Sequence, residues 1–219
     1  MKNFFVQFLK IFKRQRYAPL DILESDKCLI LAPHPDDESL GCGGLLIKYP
    51  KQCTVAFLTN GCISDREFTP EENILIRRQE LEKAMNFVGI DKYEYLNIPD
   101  RQMRRNLSRL KSLNLKHYDY VFVPNKYESH KDHKCLYRRV KRLLMFTKTR
   151  VAAYEVWSTL PRVTHYLDIS DCIGKKKELI AIYQSQLKKT DYIGGITALN
   201  QYRGMHPKVK FAEGFYIGW

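Results

Sequence analysis

Pro33-His34-Pro35-Asp36-Asp37-Glu38 follows directly on the apolar run Cys28-Leu29-Ile30-Leu31-Ala32. Ionisable side chains crowded at the tip of a buried strand need pairing or a metal ion. A second cluster, His130-Lys131-Asp132-His133, also follows a strand-like run, Tyr120-Val121-Phe122-Val123-Pro124. Together the two could build one divalent metal site with its own general base. Imidazole nitrogen and carboxylate oxygen are ordinary zinc ligands, and His34 and Asp37, three apart at a strand-to-helix corner, can face one point. His133, opening the next helix, is the expected third ligand, and Asp132 beside it is placed to orient a neighbouring group. Three protein ligands leave positions for water and substrate, which marks a catalytic rather than a structural site. Asp36 lies beside the ligands and is placed to take a proton from an attacking water. His130 is placed to stabilise a tetrahedral oxyanion or to protonate a leaving amine. Zn2+, Fe2+ and Co2+ all suit a two-histidine, one-carboxylate set.

These groups need a scaffold that brings distant strand ends together. Strand-like runs fall at 28–33, 53–59, 93–97, 119–124, 150–157 and 163–169, with an aromatic strand-like piece at 211–219. Helical patterns fall at 39–49, 71–88, about 103–117, 133–147 and 171–187, and the Gly-, Tyr- and Asn-rich stretch 190–210 reads as a loop with a short helix at most. Strands and helices in alternation predict an α/β fold, a Rossmann-like, mostly parallel sheet with helices on both faces. Ligands of such sheets bind beyond the carboxyl ends of the strands. Both clusters sit there, as do Thr59-Asn60-Gly61 and Pro99-Asp100-Arg101. Glu38 and Ser39 are expected to serve the N-terminus of the helix that follows, and Gly41, Gly43 and Gly44 to let it approach the sheet. His117, His165 and His206 have no such cluster around them and read as structural or surface groups, His206 slightly the more interesting for its polar, Gly-rich loop.

Composition narrows the classes. The 219 residues suffice for a single α/β domain, expected over 21–219, preceded by a distinct segment at 1–20. Six cysteines stand singly, mostly in apolar segments, which points to reduced thiols and a cytoplasmic setting rather than a disulfide framework. No run offers the roughly 20 apolar residues of a spanning helix. The formal net charge is +13, yet no nucleic-acid motif accompanies it, and no nucleic-acid partner is expected. Residues 1–17 carry five basic groups, no acid, and Phe4, Phe5, Phe8, Leu9, Ile11 and Phe12 at helical spacing. Two readings stand open: a helix lying on an anionic membrane surface, at the inner face of the membrane, or a terminal helix docked on the domain. Further basic stretches at 101–116 and 134–150 are either solvated helix faces or an attraction for a nucleotide- or lipid-phosphate-linked substrate.

The PHPDDE run with Leu40-Gly41-Cys42-Gly43-Gly44 resembles the PIG-L/LmbE family of zinc-dependent N-acetylglucosaminyl deacetylases. Leu58-Thr59-Asn60-Gly61, Arg77-Arg78-Gln79-Glu80-Leu81, Pro99-Asp100 and the His130–His133 motif follow in the family's order. Tyr154-Glu155-Val156-Trp157, Tyr183-Gln184-Ser185-Gln186, Tyr202-Arg203-Gly204 and Ala212-Glu213-Gly214-Phe215 resemble late segments of bacterial members, so the likeness runs from about residue 26 to 219. It implies a Rossmann-like fold and hydrolysis of the acetamide of an amino sugar. It also implies zinc on His34, Asp37 and His133, Asp36 as base, and His130 as oxyanion stabiliser or acid, with Asp132 between the two histidines. Arg77 matches an arginine that contacts substrate in some members, and Asp100 a loop aspartate that binds sugar hydroxyls. The chain departs from the pattern at Glu128, where some members carry a tyrosine, Tyr127 being shifted by one.

The expected reaction is release of acetate from a GlcNAc-type sugar carried on a nucleotide, a lipid or a small aglycone. The alternatives are a related metal hydrolase acting on another acyl group or a phosphoester, and a membrane-surface binding or scaffold protein with an inactive site.

Overall fold

The structure, a computed structural model, describes residues 17–188 and 190–218. The basic stretch at 1–16, on which both readings of the N-terminal segment rest, lies outside the described residues. Eight strands form one sheet: β1 (Ala18–Pro19), β2 (Cys28–Ala32), β3 (Cys53–Thr59), β4 (Tyr93–Ile98), β5 (Tyr120–Pro124), β6 (Arg150–Tyr154), β7 (His165–Asp168) and β8 (Ala212–Ile217), in the order β1-β7-β8-β6-β5-β2-β3-β4. All pairings are parallel except those of β8 with β6 and with β7. The helices are α1 (Asp37–Lys48), α2 (Pro70–Val88), α3 (Met103–Asn106), α4 (Lys131–Leu144), α5 (Ile173–Ala181), α6 (Gln184–Leu187) and α7 (Tyr192–Met205). Among the described residues, none of them is long and apolar enough to cross a membrane.

The continuous apolar character of β2 and β5 follows from cover on both faces. Cys28, Ile30 and Ala32 belong to the core beneath α1 and α2, with Leu45, Leu46, Leu81 and Met85. Leu29 and Leu31 point the other way, into the core that α4 closes with Leu136, Val140 and Leu144. Helix α1 lies very close to the sheet: a Cβ at Gly41 would clash with the Cδ2–Cε2 edge of Tyr154, whose hydroxyl donates to Leu31 O at 2.8 Å. Helix α2 opens on a capping box, in which Glu72 N donates to Thr69 Oγ1 and Thr69 N to Glu72 Oε2. The six cysteines are free thiols, Cys28 and Cys53 opposite each other on β2 and β3.

Three expectations are corrected. The 103–117 helix is only the four residues of α3, followed by 3₁₀ turns at Leu107–Leu113 and Leu115–His117. Leu107, Leu110 and Leu113 recur every three residues, a spacing that suits the 3₁₀ repeat. The 171–187 helix breaks at residues 182–183 into α5 and α6. The 190–210 loop is largely α7, a 14-residue helix opened by Asp191, whose side chain accepts from Gly194 N at 2.8 Å. Its buried face is Ile196, Asn200 and Gly204, so no apolar stripe announces it; Asn200 instead donates to Ala212 O and accepts from the buried Lys176 Nζ.

From β2 the chain proceeds to β3 and β4 on one side, then returns to lay β5 on the other side of β2. Strand order therefore reverses between β2 and β5, and open α/β sheets hold ligands at such a reversal. Residues 33–37 leave β2 there, and residues 125–133 leave β5.

Candidate active site

Three atoms form a tight triangle at this point. Asp37 Oδ2 lies 3.3 Å from His34 Nδ1 and 3.1 Å from His133 Nε2, and the two nitrogens are 3.4 Å apart. Ligands each about 2.1 Å from a tetrahedral ion stand about 3.4 Å from one another, so this trio already has the edges of a tetrahedral face. His34, His130 and His133 also come within 4.8 Å of one another. The His130 ring is about half exposed, however, and its Nδ1 accepts from Asp132 N at 3.3 Å, which leaves it beside the triangle rather than in it. The donor set fits a divalent ion: two imidazoles and one carboxylate converge on one point, with open space on one side.

Each imidazole is backed by an acid. His34 Nε2 faces Asp132 Oδ2 at 3.5 Å, and His133 Nδ1 faces Glu128 Oε2 at 3.6 Å. Acids so placed can fix the tautomer and aim of a ligating histidine once they close to hydrogen-bond distance; His133 Nδ1 is buried with no hydrogen-bond partner among the described residues. Asp132 thus orients His34 from across the site. Glu128, fully buried, accepts from Asn125 Nδ2 (3.1 Å), Val156 N (2.9 Å) and Trp157 N (3.1 Å). The sequence marked Glu128 only as a departure from the family pattern; an acid two residues before the motif, just past a strand end, was the available signal.

The electrostatics call for a cation. Burial disfavours ionised Asp37, yet His133 and His34 hold its carboxyl well below the usual range. Burial also works against protonated His34, but hydrogen bonds to Asp132 and Asp37 carry it up to about 10. For His133 the same penalty is overcome chiefly by Asp37, to about 9. Asp36 behaves differently. Burial pushes its carboxyl up to about 7 against the pull of Arg77, with Asp37 and Glu38 adding to the rise. A carboxyl in that range exchanges protons near neutrality. Burial and the neighbouring His34 and His133 lower His130.

Asp36 is also where the backbone is strained, with φ at 136° and ψ at −30° immediately before α1. Side-chain-bearing residues rarely hold such angles, and they tend to do so at functional sites. Its amide donates to Glu38 Oε2 at 3.1 Å, and Glu38 accepts from Tyr183 Oη at 2.7 Å, so Glu38 serves the N-terminus of α1 as expected and also braces the corner from beneath.

Arg77 and Asp100 line the same crevice, about 260 Å³ in volume, together with His34, Asp36, Asp37 and His130. Both have bracing partners. Arg77 is buried; its Nη2 stands 3.4 Å from Asp36 Oδ2, and its Nη1 donates to Glu80 Oε2 and Ser185 Oγ, both at 3.3 Å. Asp100 accepts from Gly61 N and Ile63 N at 3.2 and 3.1 Å. The remaining walls, which the sequence did not single out as site residues, include Ile63, Ser64, Arg101, Trp157, Gln186 and Tyr192. A larger groove of about 510 Å³ between α2 and α5 contains none of the clustered histidines or aspartates.

The family model for GlcNAc-PI de-N-acetylase (PIG-L) matches residues 29–144, a span that holds both motifs. Among solved structures, the chain is similar to N,N'-diacetylchitobiose deacetylase from Pyrococcus horikoshii, with a TM-score of 0.76 and 23% identity over 98% of this chain and 92% of that one. The conserved protein TT1542 from Thermus thermophilus gives 0.73 and 25% identity over 89% and 95%. The 4-carboxy-2-hydroxymuconate hydratase GalB from Pseudomonas putida KT2440 gives 0.74 and 20% identity over 88% and 96%. A deacetylase and a hydratase share this fold, so the chemistry has to be argued from the residues.

Proposed function

The chain belongs to the GlcNAc-PI de-N-acetylase family, PIG-L, and on that premise we propose that it hydrolyses the acetamide of an N-acetylated amino sugar, releasing acetate and a free amine. The proposed substrate is a GlcNAc-type sugar on a nucleotide, a lipid or a small aglycone. The observation that carries this reading is the triangle of Asp37 Oδ2, His34 Nδ1 and His133 Nε2 with Asp36 beside it.

His34, Asp37 and His133 would hold a divalent ion, for which zinc is the proposed identity. Bound there, the ion would supply Lewis acidity toward the acetyl carbonyl and make a water more acidic. The rest is work for side chains. Asp36, with its carboxyl near 7, takes the proton of the attacking water. Arg77 keeps Asp36 turned into the crevice from its bracing by Glu80 and Ser185. His130, whose Nδ1 accepts from Asp132 N, keeps its ring proton on Nε2 and stabilises negative charge growing on the carbonyl oxygen, and Asp36 returns the proton it has taken from the water to the departing nitrogen. Asp132 and Glu128 hold the two ligating rings in aim. Asp100 and Arg101 offer hydrogen bonds to sugar hydroxyls or to a charged aglycone. The six free thiols fit action in the cytoplasm.

The test is acetate release from a panel of N-acetylated sugars, free, UDP-linked and lipid-linked, using wild type and Asp36→Ala with zinc supplied and bound zinc quantified. Release by wild type, with loss in Asp36→Ala at unchanged zinc content, is expected. No release from any of them at full metal occupancy would overturn the reading.

A further inference from the structure

Trp157 is about half exposed at the crevice wall, and nothing in the proposed mechanism uses it. A partly exposed tryptophan alone says little. Its setting says more. Trp157 sits just past the end of β6, and its amide is pinned by Glu128 Oε2 at 3.1 Å, on the oxygen that faces His133 at 3.6 Å. Val156 N is tied to the other oxygen at 2.9 Å. One buried carboxylate therefore holds the backbone of this tryptophan and stands beside a ring of the triangle. The indole also packs edge to face with Tyr192, centroids 5.3 Å apart at 73°, a favoured aromatic geometry. The ring is thus held in advance at a fixed place relative to the reacting groups, which is what low-cost recognition needs.

Most of the rest of the crevice is polar, with Asp36, Ser64, Arg77, Asp100, Arg101 and Gln186 lining it and Ile63 the aliphatic side chain among them. A pyranose matches such a mixed wall, because its hydroxyl edges are polar and its C–H faces are not. We propose that Trp157, steadied by Tyr192 and Glu128, is the platform on which the sugar ring of the substrate stacks, and so a specificity-determining residue of this site. The proposal rests on the acetamido-sugar reading for its ligand. It requires a cyclic sugar and distinguishes that from an acyclic amide.

The experiment combines binding and turnover. Tryptophan fluorescence is titrated with N-acetylglucosamine, with N-acetylethanolamine as an acyclic acetamide control, in wild type, Trp157→Ala and Trp157→Phe; Trp219 reports alone in both variants. A saturable change with the cyclic sugar only, lost in both variants, is expected. In acetate-release assays, Trp157→Ala should raise KM about tenfold, the size of one good aromatic contact, with most of the loss restored by Trp157→Phe. Sugar-dependent quenching without acetate release keeps the platform and removes the deacetylase reading. Acetate release with a KM that Trp157→Ala leaves within twofold keeps the deacetylase and overturns the platform. Neither quenching nor release overturns both.

Discussion

The guanidinium of Arg77 stands 3.4 Å from the carboxylate of Asp36 while also serving Glu80 and Ser185. It is a buried cation shared between two acids. Replacing it with methionine should lower stability by about 3 kcal/mol, because Glu80 then stays buried with its charge uncompensated. Urea unfolding of Arg77→Met, Glu80→Gln and the double variant measures this. If the two losses simply add, the pair is not coupled and the account fails.

Asp36 is strained, and strain at a reacting residue is stability forgone. Asp36→Gly should relax the φ of 136° and stabilise the fold by about 1 kcal/mol while removing turnover. Thermal unfolding read beside activity checks both halves. A destabilised Asp36→Gly would show that the conformation is held without cost.

An ion held by His34, Asp37 and His133 binds only when β2 and β5 are paired, so it should stabilise the folded chain. At a free concentration a hundredfold above Kd the gain is about 2.7 kcal/mol, or about 5–10 °C in Tm for a domain of this size. Calorimetry after chelator dialysis and again after zinc is added back measures it. A Tm indifferent to zinc would rule out the ligand set.

Glu128→Gln keeps one acceptor oxygen, which can serve Val156 N and Asn125 Nδ2 but not Trp157 N as well, and removes the charge behind His133. Metal affinity should fall about 10–100-fold, and the metal-free unfolding midpoint should fall as well, because one buried amide donor loses its acceptor. Competition against a chromophoric chelator gives the affinity directly; equal affinities for the two proteins would assign Glu128 to loop structure alone.

Gly61 has φ of +71°, and a Cβ there would lie 2.6 Å from Arg77 Cγ. Gly61→Ala should cost more than the roughly 1 kcal/mol of backbone strain alone, since Arg77 cannot retreat without releasing Asp36. The Arg77→Met background should recover part of that loss, which a double-mutant cycle would detect.

The sequence was most legible where burial and chemistry conflict. Acids and a histidine after a run such as Cys28–Ala32 have no packing explanation, and His34, Asp37 and His133 do converge, with Asp36, Asp132 and His130 around them. The runs that become β2 and β5 were readable as buried strands because they are apolar along their length; that they pair with each other was not. Helix α7 was not, because its inward face is Ile196, Asn200 and Gly204, and hydropathy patterns do not register a helix that buries an amide and a glycine. Glu128 escaped for a related reason. Its role comes from Val156 and Trp157 and from the ring of His133, contacts that exist only once β6 lies beside β5. Arg77 and Asp100 do line the crevice, but local spacing could not show that Glu80, Ser185, Gly61 and Ile63 brace them there.

The reversal of strand order between β2 and β5 also governs assembly. His34 and His133 are separated by 99 residues of chain, so the triangle cannot exist in a nascent hairpin or in any early local unit. It closes when β5 returns to β2, among the slower kinds of contact a chain makes. A bound ion would then act as a late clasp. It would leave the rate of folding nearly untouched and lengthen the life of the folded protein, because the bridge it makes must break before the two strands can part.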